Sequence, residues 1–373
     1  MDHTGVTPPV AISAPDLADI ALGEGPFLTV YLTTEAAVEN ATQLSELRWK
    51  DLRTELRGQG VDEAILGAID PLVPDAHRSG ACLAVIANAR GLLHVAHEPD
   101  PPVRDLAHWG ALPVVGPLLE WRQSQIVHMV ALVDRAGADL FVFRAENDEH
   151  VEVQGDDDPI HKAKGGGWSQ ARYQRRAENT WEANAAETAD ALTDLVDREA
   201  PHLVAVGGDV RAVELLKEHL PKRVLDLVHD IPGNRAPDGS VDAVVEHVTR
   251  LVATAVAADT AALLAKFREE RAQSDRAVDG PAATLDALNK AQVEVLLVHA
   301  DPDDTRTASF GPEAIPVASS TDDLGGLGVD VPRQGDLVDV ALRAALGTGA
   351  GVRMIPGAGG PAGGIGALLR WRD

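Results

Sequence analysis

With a single cysteine, Cys82, this chain of 373 residues cannot close a disulfide on itself. The cysteine sits in the apolar run Ala81-Cys82-Leu83-Ala84-Val85-Ile86, the setting of a buried, reduced thiol rather than a reactive one. Aromatic residues make up only 3% of the chain, so its cores must rest on Ala, Val, Leu and Ile. No uninterrupted run of about eighteen apolar residues is present, which predicts no transmembrane helix and no membrane contact. The start, Met1-Asp2-His3-Thr4-Gly5, lacks the basic region and apolar core of a signal peptide. A cytoplasmic protein is the expectation. Bases are scarce, 33 against 58 acids, for a formal net charge of −25. That balance argues against generic attraction to phosphate, DNA included, and confines any RNA contact to a local patch.

Several kinds of chemistry are missing as well. There is no Gly-x-x-x-x-Gly-Lys-Ser/Thr phosphate loop. The glycines near the C-terminus do not complete a dinucleotide fingerprint, because position 362 is Ala362. They read instead as a flexible hairpin. Of the thirteen histidines, His94 and His97 lie three apart in a strand-like segment, which sends them to opposite faces, and no carboxylate or cysteine is spaced to join them. No Gly-x-Ser-x-Gly elbow occurs, and Ser169 is not in a strand-to-helix turn. The expectation is a protein with no metal and no other cofactor.

One stretch departs from the acidic background. From Pro159 to Ala177 there is no carboxylate, while Lys162, Lys164, Arg172, Arg175 and Arg176 carry five positive charges. Gly165, Gly166 and Gly167 lie in its middle, followed by Trp168, Ser169 and Gln170. A glycine-rich polar loop can be no more than a mobile connection. Charge of one sign, with an aromatic among the cations, also fits a grip on phosphates and unstacked RNA bases.

The pattern along the chain predicts an α/β protein in three domains. Residues 1–123 form the first, with a strand over 26–32, an amphipathic helix over 44–56 stopped by Gly58 and Gly60, and a hairpin of 81–87 with 91–97. Residues 124–277 form the second: strands over 126–134 and 140–144 joined by a turn at 136–139, then the cationic glycine loop. A helix from about Tyr173 follows, with Ala185, Ala189, Leu192 and Val196 in one stripe. Next come a buried strand over 202–206, a helix over 213–220, a strand over 224–229 and a long helix over 242–271. Residues 278–373 form the third, with a helix over 282–290, a strand over 293–299, a helix over 337–346 and a closing strand over 367–371. Alternation of strands and helices predicts some parallel pairing.

Gly166-Gly167-Trp168-Ser169-Gln170, with Arg172, Arg175 and Arg176 beside it, resembles the glycine–glutamine loop of the archaeo-eukaryotic class-one release factor superfamily. The likeness is to its bacterial branch, which includes relatives of the Ankzf-type peptidyl-tRNA hydrolases and Balon-like ribosome hibernation factors. Gly363-Gly364-Ile365-Gly366-Ala367-Leu368-Leu369-Arg370-Trp371 is similar to the closing strand of release factors and Pelota. The resemblance covers the middle and last domains better than the first. It implies a release-factor/Pelota-like arrangement, with the glycine loop on the middle domain reaching the peptidyl transferase centre from the ribosomal A site. It implies rRNA or tRNA contacts at Lys162, Lys164, Gly165, Gly166, Gly167, Trp168, Ser169, Arg172, Arg175 and Arg176. Gln170 would be the catalytic residue, its amide orienting a water toward the ester of peptidyl-tRNA. The partners implied are the ribosome and elongation factor Tu or another translational GTPase. Trp168 and Ser169 stand between the glycines and Gln170, where release factors place glutamine directly after the glycine pair. No Asn-Ile-Lys-Ser stretch for reading stop codons is present. The expectation is codon-independent action, either as a rescue hydrolase or as a non-catalytic hibernation factor in the A site of idle ribosomes.

Overall fold

A computed structural model describes residues 14–34, 40–144, 148–155, 167–235, 241–273, 275–299, 301, 303–355 and 359–372, with the side chains of 167–177 outside the description. The chain opens with α1 (Pro15–Ala21), β1 (Phe27–Thr33), α2 (Ala41–Gly58), α3 (Glu63–Ile69), β2 (Cys82–Asn88), β3 (Gly91–Glu98), β4 (Leu106–Gly110) and α4 (Gly116–Ser124). It continues with β5 (His128–Asp134), β6 (Gly137–Phe143), β7 (Glu149–Gln154), α5 (Gly167–Glu199), β8 (Leu203–Gly208), α6 (Val210–His219), α7 (Lys222–Leu225), β9 (Val228–Asp230) and α8 (Val241–Ala272). The last stretch holds β10 (Ala277–Asp279), α9 (Pro281–Asn289), β11 (Val293–Val298), β12 (Thr307–Phe310), β13 (Val317–Ala318) and α10 (Thr321–Gly326). It ends with β14 (Arg333–Asp336), α11 (Leu337–Gly347), β15 (Gly351–Met354) and β16 (Ile365–Leu369). The fold is mixed α/β, and it divides into two compact units, residues 124–259 and residues 1–123 with 260–373.

In the larger unit, the strand order β3-β2-β1-β4 makes an antiparallel sheet whose central strand β1 is buried on both faces. Leu28, Val30 and Leu32 point to a core closed by Trp49, Leu56 and Leu66 from α2 and α3. Phe27 and Tyr31, on the alternate face, share a core with Leu296, Leu342 and Val352 from the C-terminal stretch. The segments expected as a first and a third domain thus bury one common face. Arg343, 1% exposed, fastens it: Nε donates to the Ala21 carbonyl (3.2 Å), and Nη1 and Nη2 donate to those of Glu313 (2.5 Å) and Pro312 (2.6 Å). Two further sheets, β10-β16-β11-β15 and β13-β12-β14, belong to this unit. The second of these went unread in the sequence, because strands of two to four residues are too short to show an alternating pattern.

The smaller unit is a five-stranded sheet, β7-β6-β5-β8-β9, in which β5–β8 and β8–β9 pair in parallel. Alternation along β5 sorts its side chains. Met129, Ala131 and Val133 face a core shared with Leu192, Val196 and Leu216 of α5 and α6. Val130 and Leu132 face Val244 and Val248 of α8. Asp209 caps α6 by accepting from the backbone N–H of Arg211 (3.0 Å) and Ala212 (3.2 Å).

Some local expectations shift. The β5–β6 turn is tighter than 136–139, because Asp134 Oδ1 accepts from the N–H groups of Ala136 (2.8 Å) and Gly137 (2.9 Å) and pairing resumes at Gly137. Within 224–229 only the end is strand, since Lys222–Leu225 forms a helical turn after Pro221. The closing strand is Ile365–Leu369, two residues earlier than expected. The expectation of no membrane-length helix also changes: Val241–Ala272 is long and apolar enough to cross a membrane by length and composition, with a mean hydropathy of 1.5 over its best window. Scattered polar residues break its apolar runs, yet alanine and valine keep the average high.

Candidate nucleic-acid interface

Strand register brings Gln154 of β7, Gly137 of β6, Asp134 of β5 and Gly208 of β8 to one edge of the five-stranded sheet. This is the edge at the carboxyl ends of the parallel strands, where open α/β sheets hold their ligands. The strand β7 ends at this edge, and the cationic segment follows it in the sequence up to α5. Residues 156–166, with Lys162, Lys164, Gly165 and Gly166, lie outside the described residues.

The expected loop is shorter than the sequence suggested. Gly167, Trp168, Ser169 and Gln170 form the first turn of α5, and Arg172, Arg175 and Arg176 follow in the same helix. The helix-favouring run Gln170-Ala171-Arg172 and its continuation extend α5 toward the glycines. No carboxylate occupies the first turn of this 33-residue helix. The positive dipole end of a helix favours an anion, which is the chemistry of phosphate recognition.

A stem holds the departure point. The Gly155 N–H donates to the Ala136 carbonyl (2.7 Å), and Asn184 Nδ2 of α5 donates to the Arg135 carbonyl (2.9 Å). Asn184 is 4% exposed and lies so close over Gly155 that a Cβ on the glycine would strike its carboxamide. The Arg135 guanidinium stacks over the Trp181 ring at 4.3 Å and sits 3.3 Å from Asp209. Burial raises the affinity of Asp209 for a proton, but the Ala212 N–H and the Arg135 charge outweigh it and hold the carboxyl below its usual range. Arg235 bridges three carboxylates, Asp139 (3.0 Å), Glu152 (2.9 Å) and Asp134 (3.4 Å), so it is a neutralised strut across β5, β6 and β7. At Gly208, with φ of 141°, any side chain would run into the Val133 carbonyl, which fixes glycine at the β8 edge.

The sequence pointed to the cations and Gln170 but not to this stem. Asn184 offered one signal, a polar residue inside the alanine run Glu182-Ala183-Asn184-Ala185-Ala186 on a stripe that is otherwise buried. Arg135, Trp181 and Arg235 offered none, because their partners come from other elements. Among the described residues no group of three or more His, Cys, Asp or Glu could hold a metal ion.

Residues 127–273 match the model of bacterial archaeo-eukaryotic release factor family 2. Over 357 residues the chain is 26% identical to each of two Mycobacterium tuberculosis proteins, the uncharacterized proteins Rv2629 (strain H37Rv) and MT2704 (strain CDC 1551), covering 94% of this chain and 95% of each relative. Among solved structures it is similar to an archaeal translation termination factor (16% identity, TM-score 0.25, covering 95% of this chain and 96% of that one). It is also similar to Pelota of Archaeoglobus fulgidus (12%, 0.38, 97% and 94%) and to archaeal Pelota in a ribosome-bound model with ABCE1 (13%, 0.41, 97% and 96%). Those TM-scores are low, and the match to the family model is confined to residues 127–273.

Proposed function

We propose that the protein is a release-factor-like translation factor that associates with the ribosome and acts there without reading a codon. One observation carries this reading: the carboxylate-free cationic segment falls inside the region that matches the release-factor family and runs into the first turn of α5, which carries no acidic residue. In this reading the factor enters the A site, the cations meet rRNA or tRNA phosphates, and Gln170 orients water against the peptidyl-tRNA ester in ribosome rescue. A translational GTPase, elongation factor Tu among them, would deliver it. The two residues between the glycines and Gln170 favour a second reading, in which the same segment occupies the centre of idle ribosomes without hydrolysis.

Release of peptidyl-tRNA on ribosomes with a vacant A site separates the two. As a hydrolase the wild type releases peptide, and Gln170→Ala loses the activity by about a hundredfold or more, the usual cost of removing a transition-state donor. As an occluding factor it releases nothing yet cosediments with ribosomes from starved cells. Failure to bind ribosomes sinks both. The cations give an independent measurement. If all five meet phosphates, log affinity falls against log salt with a slope of about −4, at roughly −0.7 to −0.9 per contact. A slope near zero would show that the segment is not the RNA contact.

A further inference from the structure

A cavity of about 300 Å³, walled by both carboxyls and hydrocarbon, lies within the larger unit, between β4, the start of α4, Asp301, Asp304, Arg306 and the start of α11. Asp339, in the first turn of α11, lines it and is only 7% exposed. Among the described residues its carboxyl has no hydrogen-bond or ion-pair partner. Asp336, which precedes the helix, makes no side-chain cap bond, and His108 of β4 has no hydrogen-bond partner among the described residues. A buried carboxyl facing an open cavity without a partner either keeps its proton or takes positive charge and N–H donors from a ligand.

The cavity's own cations do not supply them. Arg306 is taken by Asp304 (2.8 and 2.5 Å) and by the Gly363 carbonyl (2.8 Å), and Arg104 lies 3.5 Å from Asp303. The lining keeps four carboxyls, Asp301, Asp304, Asp336 and Asp339, against two guanidiniums. These acids do not converge on a point that could hold a metal ion. Leu106, Leu337 and Val338 supply apolar wall between them. Spread carboxyls separated by hydrocarbon suit an extended cation, and the volume suits a small one.

We propose that this cavity binds a small aliphatic di- or polyamine, its ammonium groups pairing with Asp339 and Asp336 and donating to His108, its methylenes lying on Leu337 and Val338. Burial, then the charge of Asp336, hold the Asp339 carboxyl well above the usual range, and burial holds His108 below its usual value. The other groups facing Asp339 are Arg104, the Arg306–Asp304 pair, Asp301 and Tyr31. Burial, then Asp339, push the Tyr31 phenol well above 10, so it does not titrate near neutrality. Amine binding therefore releases the Asp339 proton, and affinity rises with pH.

The test is calorimetric titration of the full-length protein with spermidine and with putrescine, with magnesium chloride at matched ionic strength as the control for general attraction to an acidic chain. The expected result is a saturable one-site isotherm that tightens from about pH 6 to about pH 8, with proton release seen on changing the buffer. Asp339→Asn, which has the shape of the protonated acid, weakens binding about tenfold or more, the worth of one charge-assisted hydrogen bond. The exposed Asp336→Asn also weakens it, and Asp322→Asn, outside the cavity, does not. No saturable isotherm, an equal response to magnesium, or unchanged affinity in both cavity variants overturns the proposal.

Discussion

Substituting Gly155 by alanine tests whether the stem of the cationic segment is held as the geometry indicates. The new Cβ would strike Cγ and Oδ1 of Asn184 and come within 2.7 Å of its Nδ2. Asn184 is 4% exposed, so it cannot swing out to solvent without displacing its neighbours. Displacing it breaks the 2.9 Å bond to the Arg135 carbonyl and leaves a half-buried acceptor unpaired, at about 1–3 kcal/mol. Overpacking adds about 1–2 kcal/mol, for a total near 3–4 kcal/mol. Asn184→Ala alone loses the same hydrogen bond but makes room. In that background Gly155→Ala should be nearly neutral, because no left-handed backbone is recorded there. The double-mutant cycle therefore predicts a coupling of about 3–4 kcal/mol, read from urea unfolding followed by tryptophan fluorescence, with Trp181 as a reporter beneath Arg135. Additive effects within about 0.5 kcal/mol would refute the argument.

Two further substitutions probe the larger unit. Asp339 has a folded pKa raised above 3.8, so the native state keeps a proton that the unfolded chain gives up, and stability declines as pH rises from near 4 through the raised value. Asp339→Asn should melt higher than wild type at neutral pH without ligand, with the gap closing toward pH 4; a gap constant across pH contradicts the assignment. Arg343→Met removes three hydrogen bonds to carbonyls, partly offset by no longer burying a charge, for a net loss of about 3 kcal/mol. An unchanged melting temperature would mean that the guanidinium does not fasten Ala21 to the 312–313 segment.

Much of the secondary structure was legible because it follows from near-neighbour physics. The stripe Ala185, Ala189, Leu192 and Val196 is buried as its helical spacing implies. The hairpin of β2 and β3 turns at Ala89-Arg90, between residues read as its ends. The elements that misled were those where a local signal competed with a helix. Gly167 and Trp168 look like loop residues, yet the good helix formers that follow draw them into α5. The apolar average of α8 was hidden by interruptions that matter to a run but not to a mean.

By itself the sequence determined the α/β class, the paired strands, the long helices and the place where positive charge is concentrated, since all of these depend on residue type and spacing along one stretch of chain. The tertiary structure decided what spacing cannot carry. Phe27 and Tyr31 find their cover in α11 and β15, more than three hundred residues away, so two stretches that read as separate domains close over one core. Asn184 becomes the clamp on Gly155, and Asp339 becomes a buried carboxyl without a partner, only when β-sheet register and helix packing bring distant residues face to face. A side chain's type sets what it can donate, accept or charge, but which groups it meets is fixed by contacts between parts of the chain that no local pattern links.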